Sequence, residues 1–172
     1  MREDNCDRVD KTPLMPDSSS ADTQFMRSAL RLAEKARERG EVPVGAVVVA
    51  QGEVIGEGFN QPITLQDPSA HAEMLALRAA AKHIGNYRLQ GASLYVTIEP
   101  CMMCCGAMVH ARIARLVFAA REPRAGAVVS NAQLLENRWL NHRVQVVEGV
   151  LAEPCGELMR AFFRELRRER SS

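Results

Sequence analysis

No apolar run in this 172-residue chain approaches the roughly 20 residues that a helix needs to cross a bilayer, which argues against a spanning helix. A secretory leader is not expected either, because residues 1–20 are acidic and Ser-rich with no apolar stretch. An excess of charge of either sign is nearly absent: 22 Lys and Arg face 21 Asp and Glu, for a formal net charge of +1. No internal repeat is found, so a solenoid or array is not expected. Paired cysteines are not indicated either. The count is five, an odd number, and two of the five stand in a metal-type spacing, so a reducing compartment, the cytoplasm, is expected in place of a disulfide framework.

What is present fits one soluble domain. The length suffices for a single core, and 47% hydrophobic against 25% charged residues is an ordinary globular balance. The small net charge hides an asymmetry. Residues 1–22 carry six acids against Arg2, Arg8 and Lys11, a balance of −3, so the remaining 150 residues carry +4, most of it from arginine. Arginine suits bidentate phosphate contacts and stacking, so an anionic partner is hinted at. Residues 1–21 read as a disordered acidic N-terminal tail, lacking the apolar periodicity to fold, and residues 22–172 as the folded domain.

From Asp22, which is placed to cap, apolar residues recur at helical spacing (Phe25, Ala29, Leu32, Ala33, Ala36) until Gly40. Residues 44–50 and 54–58 read as two strands joined by a turn at Gln51-Gly52. Ser69 is the expected cap of a helix that runs to about Ile84 and is closed by Gly85. Residues 93–97 form a third strand, and Pro100 turns the chain into a helix over residues 102–111. Strands follow at 116–120 and 144–148, then a helix over residues 153–168. The order predicts a three-layer α/β/α domain with a five-stranded mixed sheet.

Two short motifs carry the chemistry. His71-Ala72-Glu73 is followed by Pro100-Cys101-Met102-Met103-Cys104. One imidazole and two thiolates make three ligands for Zn2+, leaving its fourth position to water, and Glu73 is the acid/base candidate beside it. Cys101 and Cys104, three apart at a helix start, share a face, and the helix dipole favours their thiolates. A Cys-x-x-Cys after a strand also fits a redox pair, and a structural zinc would close its fourth position with protein, with Cys105 as a conceivable ligand. Cys105 and Cys155 otherwise read as packed residues, and His83 and His110 as structural ones.

Beyond this pair, which is the signature of zinc nucleobase deaminases, much of the chain resembles bacterial tRNA-specific adenosine deaminases. The matching stretches include Glu41-Val42-Pro43-Val44-Gly45-Ala46, Asn60, Asp67-Pro68, Asn86-Tyr87-Arg88-Leu89, the run from Leu94 to Cys101, Asn141-His142 and Phe162-Phe163-Arg164. The resemblance implies the cytidine deaminase-like fold, a homodimer and one zinc per subunit. It also implies hydrolysis of the wobble adenosine of a tRNA anticodon stem-loop to inosine, with a water activated on zinc as nucleophile. Carried over, His71, Cys101 and Cys104 hold the metal and Glu73 shuttles protons. Asn60 holds the nucleotide, backbone near Val44 and Ala72 meets the base, and Ile98 lines the pocket. The sequence departs from the family's pattern at residues 121–130, where Glu122 stands in place of the usual Asp and Val129 in place of Gly.

RNA-backbone candidates are Arg121, Arg124, Arg143 and the C-terminal Arg160, Arg164, Arg167, Arg168 and Arg170. From the residues alone, a solvated helix face with Glu165–Arg168 spacing accounts for the last group without RNA, but the resemblance around Phe162-Phe163-Arg164 favours the RNA role.

Overall fold

The structure, a computed structural model, describes residues 20–171. Nearly all of the expected acidic tail therefore lies outside the described residues. Its last two positions, Ser20 and Ala21, already belong to the first helix.

Five strands form one sheet in the order β2-β1-β3-β4-β5: β1 (Gly45–Ala50), β2 (Glu53–Phe59), β3 (Ser93–Ile98), β4 (Arg115–Ala120) and β5 (Gln145–Glu148). β1 runs antiparallel to β2 and β3, whereas β3, β4 and β5 are mutually parallel. Four strands thus point one way, and the chain leaves all four at the same sheet edge. The β1–β2 turn falls at Gln51 and Gly52, both at positive φ, 52° and 83°. That pair of conformations follows the right-handed twist of a hairpin.

The sheet is buried on both faces, because alternate residues serve different layers. Val48, Leu94, Val96, Leu116 and Phe118 face α3 (Ala72–Ile84) and α4 (Met102–Ala111). Val47, Val49, Tyr95, Val117 and Ala119 face α1 (Ser20–Glu38) and the start of α5 (Ala152–Glu169). This two-sided alternation is why the strands read as nearly continuous apolar runs. A short helix, α2 (Pro62–Leu65), and a 3-10 turn at Leu134–Glu136 complete the elements and were not visible in the pattern of apolar residues.

Two expected helix caps are corrected. Asp22 lies inside α1, not before it. Its carboxylate is buried and takes two hydrogen bonds from Arg115, at 2.8 and 2.7 Å, and one from the Tyr95 hydroxyl at 2.7 Å. Ser69 does not cap α3; its amide and hydroxyl both donate to Asp67, at 2.8 and 2.7 Å, closing a turn ahead of the helix. The N-cap position belongs to His71, whose side chain makes no capping bond.

α3 also lies unusually close to β2. A Cβ at Gly58 would collide with the backbone of Ala72 and Ala76, so only glycine lets the helix settle there. That contact fixes the height of the α3 N-terminus over the sheet edge.

Candidate metal and active site

Three segments meet at the edge where β2, β3 and β4 end. His71 precedes α3 in extended backbone (φ −73°, ψ 152°), and Cys101 precedes α4 in the same way (φ −77°, ψ 173°). The His71 Nδ1 atom lies 3.6 Å from Cys101 Sγ and 3.7 Å from Cys104 Sγ, and the two sulfurs are 3.7 Å apart. A tetrahedral ion with bonds of about 2.3 Å to sulfur and about 2.05 Å to nitrogen has S–S edges of about 3.8 Å and S–N edges of about 3.6 Å. The triangle of donor atoms therefore fits zinc. Among the described residues no other trio of His, Cys, Asp and Glu converges in this way.

The protonation of the trio suits a cation. Donation from Cys104 pulls the Cys101 thiol down to about 3, against the opposing effect of burial, and His71 adds to the pull. The same sharing pushes Cys104 up, with burial and the charge of Glu73 adding to it. One proton thus serves two sulfurs, and a soft metal taking both as thiolates displaces it. The Cys101 contact raises His71, opposed by burial and helped by Glu73.

Glu73 is buried in the first turn of α3, two residues past His71. Because His71 stands outside the helix in extended backbone, this short spacing brings both side chains to one site. Burial raises the carboxyl above its ordinary range, only partly opposed by a backbone hydrogen bond and by His71. A carboxyl that takes a proton readily is what an acid/base group requires.

Asn60 is the hub of the adjoining wall. Its amide N–H donates to the Val44 carbonyl at 3.0 Å, and its side-chain oxygen accepts from the Ala72 amide at 2.9 Å. It therefore caps α3 from a distant segment and frees His71 from doing so. The side-chain nitrogen of Asn60 donates to nothing among the described residues. Asn60, Val44 and Ala72, expected at the base, form one hydrogen-bonded unit, while Ile98 is buried at the end of β3 beside Ala120.

Cys105 is a buried thiol, pushed up to about 12 chiefly by burial, with its sulfur 3.9 Å from the Pro100 carbonyl. It stands apart from the trio. Cys155 is likewise buried and unpaired, and Cys6 lies outside the described residues.

Two buried acids escaped the sequence reading. Glu41 accepts from the amides of Ile63 and Thr64, at 3.3 and 2.7 Å, and so holds α2 next to Asn60. Glu99 accepts from the amides of Glu122, Val128, Val129 and Ser130 and from the Ser130 hydroxyl. Burial would raise its pKa, but these donors, led by Ser130, hold it below the ordinary value. Both glutamates stand within stretches that match the family. Nothing local marks them as buried, since their partners lie 22 to 31 residues away.

The arginines divide. Arg121 forms a two-pronged pair with Glu148, at 2.9 and 2.7 Å, and Arg143 donates to the carbonyls of Glu136 and Asn137. Arg160 and Arg164 are held by Glu153 and Glu157, and Glu165 pairs with Arg37 on α1. The guanidinium groups of Arg124 and Arg167 pair with no carboxylate among the described residues. Arg124, Arg160, Arg164 and Arg167 line a cleft of about 420 Å³ between the 122–124 segment and α5.

Comparison with known proteins agrees with this geometry. Residues 19–120 match the family model for the zinc-binding region of cytidine and deoxycytidylate deaminases. A tRNA-specific adenosine deaminase of Haemophilus influenzae is 49% identical over 153 residues, covering 88% of each chain. The Bacillus subtilis protein of that name is 47% identical, covering 88% of this chain and 94% of its own. A structure from a study of A-to-I editing by tRNA:A34 deaminases at the wobble position of transfer RNA superposes with a TM-score of 0.77. It is 43% identical, over 79% of this chain and 99% of that one.

Proposed function

The chain belongs to the zinc-binding cytidine and deoxycytidylate deaminase family, and from its tRNA-specific adenosine deaminase relatives and its own site we infer that it hydrolyses the wobble adenosine of a tRNA anticodon to inosine. The observation that carries the chemistry is the His71–Cys101–Cys104 triangle at zinc spacing with a buried, proton-seeking Glu73 beside it.

His71, Cys101 and Cys104 would hold one zinc ion, which when bound acidifies a water towards neutrality. Glu73 takes a proton from the attacking water and carries it to nitrogen 1 of the adenine, making carbon 6 more electrophilic. It then takes the remaining proton from the new hydroxyl on carbon 6 and delivers it to the departing amine, so that the carbonyl forms as the C–N bond breaks and adenosine and water become inosine and ammonia. The free side-chain nitrogen of Asn60 is a donor for the nucleotide, and its fixed oxygen keeps that donor aimed. A hairpin loop offers the base already unstacked, at little cost.

The basic cleft beside α5 supports a role for Arg124, Arg164 and Arg167 against the RNA backbone, and Arg168, next along the helix, belongs to the same reading. Arg121 and Arg143 are engaged within the protein and fit that role less well. A homodimer and a cytoplasmic location belong to the same reading. Supporting the dimer, besides the resemblance, is an apolar groove that leaves Met102 and Trp139 exposed. Among the described residues no helix is long and apolar enough to cross a membrane.

Inosine formation and ammonia release, measured on an anticodon stem-loop, free adenosine and free cytidine, test this reading. Turnover of the stem-loop alone is expected. Equal turnover of a free nucleoside would instead make it a small-molecule deaminase.

A further inference from the structure

The 122–130 segment leaves β4 at the edge where the metal ligands gather, and it contains neither helix nor strand. A segment without regular structure needs other acceptors for its amides. Here one side chain accepts from four of them. Glu99 Oε1 accepts from Val128, Val129 and Ser130 at 3.1, 2.7 and 2.9 Å, while Oε2 takes the Glu122 amide at 3.0 Å and the Ser130 hydroxyl. Gly126 packs so closely on this carboxyl that a Cβ there would overlap it. A second tie joins the Ala127 amide to the Pro100 carbonyl at 2.9 Å.

Both ties land on the two residues immediately before Cys101. The outer side of the same loop, through Glu122 and Arg124, forms one wall of the basic cleft. The loop therefore spans from the metal edge to that cleft, and Glu99 sets its position at both ends. Stability alone does not call for a buried carboxylate, since apolar packing commonly serves a core as well as buried charge does. A carboxylate that gathers four amides and a hydroxyl fixes a backbone path, which is a positioning task.

We propose that Glu99 is a positioning residue for the RNA substrate: it holds the 122–130 loop against the Pro100–Cys101 segment so that the loop and the α5 arginines receive the strand together. This rests on the RNA-deaminase reading above. Glu99→Gln is the sharpest probe. The amide side chain keeps an oxygen for the Val128–Ser130 side but turns an NH2 towards the Glu122 N–H, so the Glu122 end comes loose.

Steady-state deamination of an anticodon stem-loop should show KM raised about tenfold in Glu99→Gln, with kcat within about twofold of the parent and one zinc retained per chain. Hydrogen exchange should quicken at the amides of Glu122 and Arg124 and stay unchanged in α3. Ser130→Ala, which removes only the hydroxyl contact, should raise KM about threefold and carries the test if Glu99→Gln does not fold. Unchanged KM in folded, zinc-loaded variants, or a fall in kcat alone, overturns the proposal. Failure of the parent protein to form inosine would instead overturn the substrate reading, while the exchange data would still report whether Glu99 holds the loop.

Discussion

At Ala72 the first unmatched amide of α3 is met by Asn60 and not by the residue that precedes the helix. The His71 ring is left to face two sulfurs instead of folding back as a cap. The metal trio is thus a matter of which side chains are released from local duties. Cys105 illustrates the converse: it adjoins Cys104, yet its thiol is buried away from the site and stays protonated at neutral pH. Zinc content measured on purified variants should fall from one per chain to near zero in His71→Ala and remain at one in Cys105→Ala; loss of zinc in Cys105→Ala would make that sulfur a ligand. The His71–Cys101–Cys104 cluster was legible, and so was the placing of the Glu73 carboxyl beside it, because both depend on residue type and short spacing. Glu41 and Glu99 were not, because an acid shows as buried only when distant amides converge on it.

Among the elements, helix and strand order was legible from apolar periodicity, and Gly85 closed α3 as expected, at φ 72°. Two of the helix caps were not legible. Asp22 and Ser69 have capping chemistry, yet longer-range partners claimed one and a local turn the other. The C-terminal helix stays ambiguous by pattern alone, since its acids and arginines read as a solvated face. In the structure Glu157 engages Arg160 and Arg164, but exposed pairs of this kind contribute little to stability and yield readily to phosphate. Deleting residues 164–172 should therefore weaken stem-loop binding and flatten the dependence of log affinity on log salt, by about 0.7 in slope for each phosphate no longer neutralised. An unchanged salt slope would return α5 to the solvated-face reading.

For the molecule as a whole, the two sheet faces have different tasks. The α3–α4 face carries the site, and the α1–α5 face carries a buried polar knot of Asp22, Tyr95 and Arg115 that ties the first helix to β3 and β4. Burial, then the bond and charge of Asp22, push the Tyr95 hydroxyl up to about 12. The folded state thus holds this proton more tightly than the unfolded chain, where tyrosine titrates near 10. Its contribution to stability is complete below about pH 10 and is lost as pH rises through about 12. Melting curves across that window should fall more steeply for the parent than for Tyr95→Phe; parallel curves would place the alkaline sensitivity elsewhere. Glu73 is the residue that separates a catalyst from a zinc-stapled binding module. Glu73→Gln, loaded with zinc and mixed with an anticodon stem-loop, should bind the RNA and hold its metal while forming inosine at least about 100-fold more slowly than the parent. Inosine formed at the parental rate by that folded, metal-loaded variant would contradict the catalytic role.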